Sequence, residues 1–244
     1  PLDRQGAKPE ERFNGFREWG VLPKAVLNLL LLLGWNEGTD RELYSMEEMT
    51  EAFSLSRVSP SGARFNFAKA KWFNKQYLSQ MQAADLLALV EPQLQEAGVD
   101  TSNREQLLSI AELLKMRLDF TTEFYAQSSY FYQALDYDAV FTKNQKNFQK
   151  KVLNKWNDDQ RAFLEQLITQ LQQTTPYTAA ALQSNLDPLI GDRQGEVLPI
   201  FRLALSGNMG GPGIYDIMAV LGPSATTQRL QKFMAFCEAY KAAH

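Results

Sequence analysis

From Val21 onward the apolar positions recur at helical spacing, and no stretch keeps the strict alternation of strands. Pro23 stands where a first helical turn tolerates a missing N–H, residues 25–33 are almost wholly apolar, and Gly34 follows as a C-terminal stop. A helix that apolar is expected to be buried on most sides. Ser45 and Glu48 form a capping-box pair that opens a short helix to Phe53. Residues 54–62 read as a polar turn, and residues 67–78 as a helix anchored by Trp72 and Phe73. Helical spacing resumes over 81–97, and 98–103 is a linker with capping residues. Residues 104–120 form the clearest amphipathic helix, with Leu107, Ala111, Leu114 and Leu118 on one stripe and Arg117 on its flank.

An aromatic cluster follows, comprising Phe120, Phe124, Tyr125, Tyr130, Phe131, Tyr132, Tyr137 and Phe141. Such residues serve a helical core, and some suit base stacking. Residues 143–156 form a lysine-rich helix with Phe148, Val152 and Trp156 on one face and Lys143, Lys146 and Lys150 on the other. That lysine face is either simply solvated or matched to a phosphate backbone. Asn157 caps a helix over 158–172, residues 174–176 break it, 177–186 is a short helix and 188–194 breaks again. A last helix starts at Ser224, with Leu230, Phe233, Met234 and Cys237 on its buried face.

Residues 196–222 hold the candidate chemistry. An apolar run carries one charge, Arg202, and is followed by Gly207, Gly210, Gly211, Pro212 and Gly213 before a second apolar run over 214–221. An unpaired buried guanidinium is costly, so Arg202 either pairs internally or meets a polar or anionic group from outside. A Gly-Pro-Gly turn before a helix leaves backbone N–H groups beside the positive end of the helix dipole. The alternative is a helix-loop-helix whose glycines only turn the chain.

The remaining features narrow the function. The 244 residues are 45% hydrophobic and 22% charged, as in an ordinary soluble protein, and the net charge of −3 provides no global field for nucleic acid, so any such site is local. The single cysteine, Cys237, permits no internal disulfide, and the single histidine is the terminal His244, which removes histidine catalysis and Cys/His zinc sites. No apolar run approaches the length of a membrane span. No phosphate-binding glycine motif, retuned carboxylate pair or metal-ligand set is present, so no catalytic residue and no metal ligand is assigned. The expected fold is all-α, built as successive helical bundles, and the chain reads as a binding module.

Three stretches then identify a resemblance to the class I glutamyl-tRNA synthetases: GFREWGVLPKAVLNLLLLLGW at 15–35, AFSLSRVSPSGARFNFAKAKWFNKQYL at 52–78, and 198–230 with LPIFRLALSG, GPG, LG and RL. The family's nucleotide-binding Rossmann domain, with its ATP motifs, would lie upstream, and the start at Pro1 suggests a cut-down or processed fragment. The resemblance implies a linker at 1–15, a helical stem-contact domain at 16–79, and anticodon-binding helical subdomains at 80–157 and 158–244. It implies an arginine facing the third anticodon base at Arg117, a second anticodon-contacting arginine at Arg202, and a pocket for the first anticodon base at Gly211, Pro212 and Ile214. Gly211 stands where a hydroxyl residue can occur in the family. The implied partner is tRNA(Glu), with no DNA and no membrane, for a cytoplasmic monomer. ATP and Mg would belong to the parent enzyme, with no cofactor in this chain. A helical protein-interaction scaffold without RNA binding is the alternative, and a stand-alone enzyme lacks a base, a metal set and a phosphate loop.

Overall fold

A computed structural model describes residues 15–60, 62 and 64–243, so the expected linker lies, apart from Gly15, outside the described residues. The chain divides into two compact units, Pro1–Ser128 and Ser129–His244. The first holds α1 (Pro23–Gly34), α2 (Met46–Ala52), α3 (Phe67–Gln80), α4 (Ala83–Glu96) and α5 (Arg104–Leu114), then a 3₁₀ turn at Thr121–Glu123. The next helix, α6 (Phe124–Tyr132), runs across the division. The second unit holds α7 (Tyr137–Lys151), α8 (Asp158–Gln173), α9 (Ala179–Ile190), α10 (Gln194–Ser206) and α11 (Ile214–Ala243), which is interrupted at Gly222. Among the described residues the only β feature is an isolated antiparallel bridge between Trp35 and Val58, so the all-α expectation holds.

In the first unit α1 packs on α3 and α2, and α4 packs on α5 and the 3₁₀ turn. The capping box at Ser45 and Glu48 is formed in both directions and starts α2. Asn28 is fully buried in α1: its Nδ2 donates to the Glu42 carbonyl at 2.6 Å, and its Oδ1 accepts from the Tyr44 N–H at 2.9 Å and the Tyr77 hydroxyl at 2.7 Å. One carboxamide thus satisfies backbone groups of a segment without regular secondary structure.

In the second unit α11 packs against α8, α9 and α10, and α10 also meets α7. Phe148 and Phe233 are fully buried at the centre of a ring cluster with Tyr137, Phe141 and Phe236. Four of the eight aromatics singled out from the sequence, Phe124, Tyr130, Phe131 and Tyr137, are buried, and the other four are half-buried. They serve the core.

Several expectations change. The helix opening at Arg104 ends at Leu114, because the Arg117 N–H closes back on the Leu114 carbonyl at 2.7 Å and tightens the chain into a turn. Leu118 still reaches the core. Helix α1 buries only one side, with Leu27 and Leu30 42% and 54% exposed. Trp72 is 40% exposed while Phe73 is fully buried, since neighbours in a helix point about 100° apart and cannot share a face. Val152 and Trp156 are buried as expected but lie beyond the end of α7, on either side of a 3₁₀ turn at Leu153–Lys155. Pro188 sits in the last turn of α9, where little helix remains to disrupt, and the break falls at Gly191 instead. The expected start at Ser224 corresponds to the Gly222 interruption.

Asn28→Ala should lower the free energy of unfolding by about 2–3 kcal/mol in urea titration, since it orphans the Tyr44 N–H and the Glu42 carbonyl. Burial pushes the Tyr137 phenol up to about 12, so the unfolded chain ionises there first. Its contribution to stability is complete below pH ~10 and is lost as the pH rises through about 12. Tyr137→Phe should flatten that alkaline limb of the stability profile in melts followed by circular dichroism.

Candidate nucleic-acid interface

The second unit builds a braced loop from the end of α10 to the start of α11. Helix α10 stops because Gly207 takes the left-handed conformation at φ +67°. A Cβ there would stand 2.9 Å from Val140 Cγ2, so the close approach of α7 also requires glycine. The Ser206 hydroxyl donates to the Arg202 carbonyl at 2.9 Å, and Asn208 Nδ2 donates to the Ser206 carbonyl at 2.8 Å. From α7, Asn144 Nδ2 donates to the Gly207 carbonyl at 3.1 Å and Lys143 Nζ donates to Asn208 Oδ1 at 2.8 Å.

Arg202 lies one turn before the end of α10 and is half-buried. Its Nη1 donates to the Pro212 carbonyl at 3.0 Å and closes the loop on itself. Internal pairing is therefore part of its role. Pro212 and Ile214 are buried, while Gly210 and Gly213 are exposed on either side of them. Gly211 has φ +140°, a conformation that L side chains rarely adopt, so a hydroxyl residue here would need a different loop path. Asp216 lies in the first turn of α11 with its carboxylate against Gly213. The positive end of the helix dipole already faces an acid, which disfavours a further anion such as phosphate there.

Beneath the loop, the Tyr137 hydroxyl stands 3.0 Å from the Ala204 carbonyl, and Arg229 Nη1 donates to the Leu205 carbonyl at 2.6 Å. Burial lowers the pKa of the Arg229 guanidinium. These supports of the last α10 carbonyls were not foreseen from the sequence, and neither were Asn144 and Asn208. Lys143, Lys146 and Lys150 are all exposed on one face of α7. Because Lys143 binds Asn208, that row of cations begins at the glycine loop.

Arg117 belongs to the first unit. It is exposed in the turn after α5 rather than on the flank of a helix, and its side chain has no hydrogen bond or ion pair among the described residues. A groove of about 450 Å³ between α8 and α11, lined by Arg161, Glu165 and Glu238, contains none of the candidate residues. No group of three or more His, Cys, Asp or Glu placed to hold a metal occurs among the described residues, and no helix there is long and apolar enough to cross a membrane.

A model of the catalytic domain of class I tRNA synthetases (E and Q) matches residues 10–72, which in the described residues are helical and without a sheet. A glutamate–tRNA ligase of Flavobacterium johnsoniae is 38% identical over 223 residues, covering 90% of this chain and 42% of that protein. One from Porphyromonas gingivalis is 34% identical and covers 95% of this chain and 45% of its own length. The crystal structure of a glutamate tRNA ligase from Elizabethkingia meningosepticum, in complex with its amino acid, superposes with a TM-score of 0.77 at 29% identity, over 93% of this chain and 44% of that one. The chain therefore spans less than half the length of these relatives. A model of the anticodon binding domain matches residues 85–234, a stretch that contains every candidate residue named above, and the chain belongs to that family.

Proposed function

We propose that this chain is the tRNA-recognition portion of a glutamate–tRNA ligase and reads the anticodon of tRNA(Glu). The parent enzyme would activate glutamate with ATP and Mg and pass it to the tRNA 3′ end in the cytoplasm, acting as a monomer. Residues 16–79 would contact the tRNA stem, and residues 80–157 and 158–244 would form the two anticodon-binding subdomains. The observation that carries this function is the placement of Arg117 and of the braced Arg202–Pro212 loop within the stretch matched by the anticodon binding domain.

The roles follow from hydrogen-bond inventory. A guanidinium only donates, and the edge of C offers it acceptors that the Watson–Crick edge of G places less well. Arg117 would thus favour the C that ends the glutamate anticodon over the G that ends the glutamine anticodon. Arg202 would hold a second base while bracing the loop. Gly211, Pro212 and Ile214 would form the wall for the first base, chiefly through backbone contacts. Lys143, Lys146 and Lys150 would follow the phosphate backbone as point charges.

A salt-dependent titration of this chain against glutamate tRNA, glutamine tRNA and a glutamate tRNA with its third anticodon base changed to G tests the proposal. The first should bind best, and the single base change should remove the preference. Arg117→Gln should cost about 1–3 kcal/mol of that discrimination, by analogy with paired base contacts in DNA. Equal binding of all three tRNAs by the wild type would refute the role. Lys146→Ala and Lys150→Ala should each weaken all three tRNAs alike and reduce the salt slope by about 1. An unchanged slope would leave those lysines as a solvated face.

A further inference from the structure

Among the described residues the Arg117 guanidinium has no hydrogen-bond or ion-pair partner, so the direction of that side chain depends on the main chain to either side. On the N-terminal side the Arg117 N–H is fixed to the Leu114 carbonyl. On the C-terminal side everything converges on Asp119. Its carbonyl accepts from Asn74 Nδ2 at 2.7 Å, and its N–H donates to Glu123 Oε2 at 3.0 Å. Its carboxylate lies 2.9 Å from Lys71 Nζ and 3.4 Å from Lys75 Nζ. Burial alone would raise this carboxyl, but Lys71 and Lys75 outweigh it and hold the group below the usual carboxylate range.

Asn74 is fully buried in α3 and serves two distant segments of the chain at once. Its Oδ1 accepts from the Leu22 N–H at 2.7 Å, and its Nδ2 also approaches the Gly20 carbonyl at 3.3 Å. The Gly20 carbonyl accepts in turn from the Thr121 N–H at 3.2 Å. Gly20 has φ +76°, and a Cβ there would meet the Thr122 N–H nitrogen at 2.8 Å. The chain just beyond Arg117 is thereby locked to the entry of α1 and the middle of α3.

We propose that Asn74, together with the ion pairs from Lys71 and Lys75 to Asp119, positions Arg117 for the third anticodon base. These are positioning residues, since none of them would touch the base itself. The proposal rests on the role assigned to Arg117 above, and the experiment separates the two.

Asp119→Asn keeps the size of the side chain and removes one negative charge from this surface. If Asp119 acted only through the local field, its loss would tighten binding of every tRNA alike. Positioning predicts a different outcome. The ratio of affinities for glutamate tRNA and its third-base G variant should fall roughly fivefold, with affinity for the G variant unchanged or tighter. A ratio equal to that of the wild type overturns the proposal. Asn74→Ala adds a readout on the protein alone: amide exchange should accelerate across 115–122 while α4 and the first turns of α5 keep their protection. Unchanged exchange across that turn also overturns it. If the wild type shows no preference, or if Arg117→Gln retains it, the role of Arg117 falls and this inference falls with it. If Arg117→Gln erases the preference and Asp119→Asn keeps it, only this inference falls.

Discussion

A helical protein must find hydrogen-bond partners for the backbone between its helices, and two buried carboxamides do this in the first unit. Asn28 and Asn74 each bind donor and acceptor groups from segments far away in sequence. Without them, the non-helical stretches at 20–22 and 42–44 would bring unpaired polar groups into a low-dielectric interior, at a cost comparable to losing whole hydrogen bonds. The apolar stripes of α1, α3, α4 and α5 supply the driving force for packing. The amides decide which loop lies where, and one of those loops carries Arg117.

The second unit solves a related problem with a guanidinium. Arg202 closes the glycine loop onto Pro212, and Tyr137, Asn144 and Arg229 hold the carbonyls at the end of α10 that the helix itself leaves over. A loop held this way would lose little further entropy on meeting a ligand. The acid of Asp216 at the start of α11 disfavours phosphate at the same loop, while the lysines proposed to follow a phosphate backbone are exposed on α7.

Much of this architecture is readable from side-chain periodicity and end signals. The buried stripe of α5, the capping box of α2 and the Asn157 cap of α8 are local features, and local features are what a sequence displays. Arg202 and the glycine cluster stood out because a lone charge in an apolar run requires explanation. The end of α5 was misplaced because Leu118 keeps the helical spacing while leaving the helix, so the apolar pattern continues through a turn. The brace around Asp119 stayed hidden because it joins residues tens of positions apart, and an asparagine in a helix has no pattern that reveals what it binds. Trp72 and Phe73 are adjacent apolar anchors in the sequence, but helix geometry buries only Phe73.

Helix α3 carries Asn74 and Tyr77 one turn apart, and both reach outward to fixed backbone or side-chain atoms: Asn74 to Leu22, Gly20 and Asp119, Tyr77 to Asn28 and Tyr44. An apolar stripe tolerates a small rotation or slide of a helix with little change in buried area. Directional hydrogen bonds do not, because a rotation by one residue would break all of these together. The azimuth of α3 is therefore chosen by its polar face, and the packing of Phe73 and Leu78 follows from that choice. What these two side chains contribute is uniqueness: among the many ways of burying the same oily surface, they leave the helix only one.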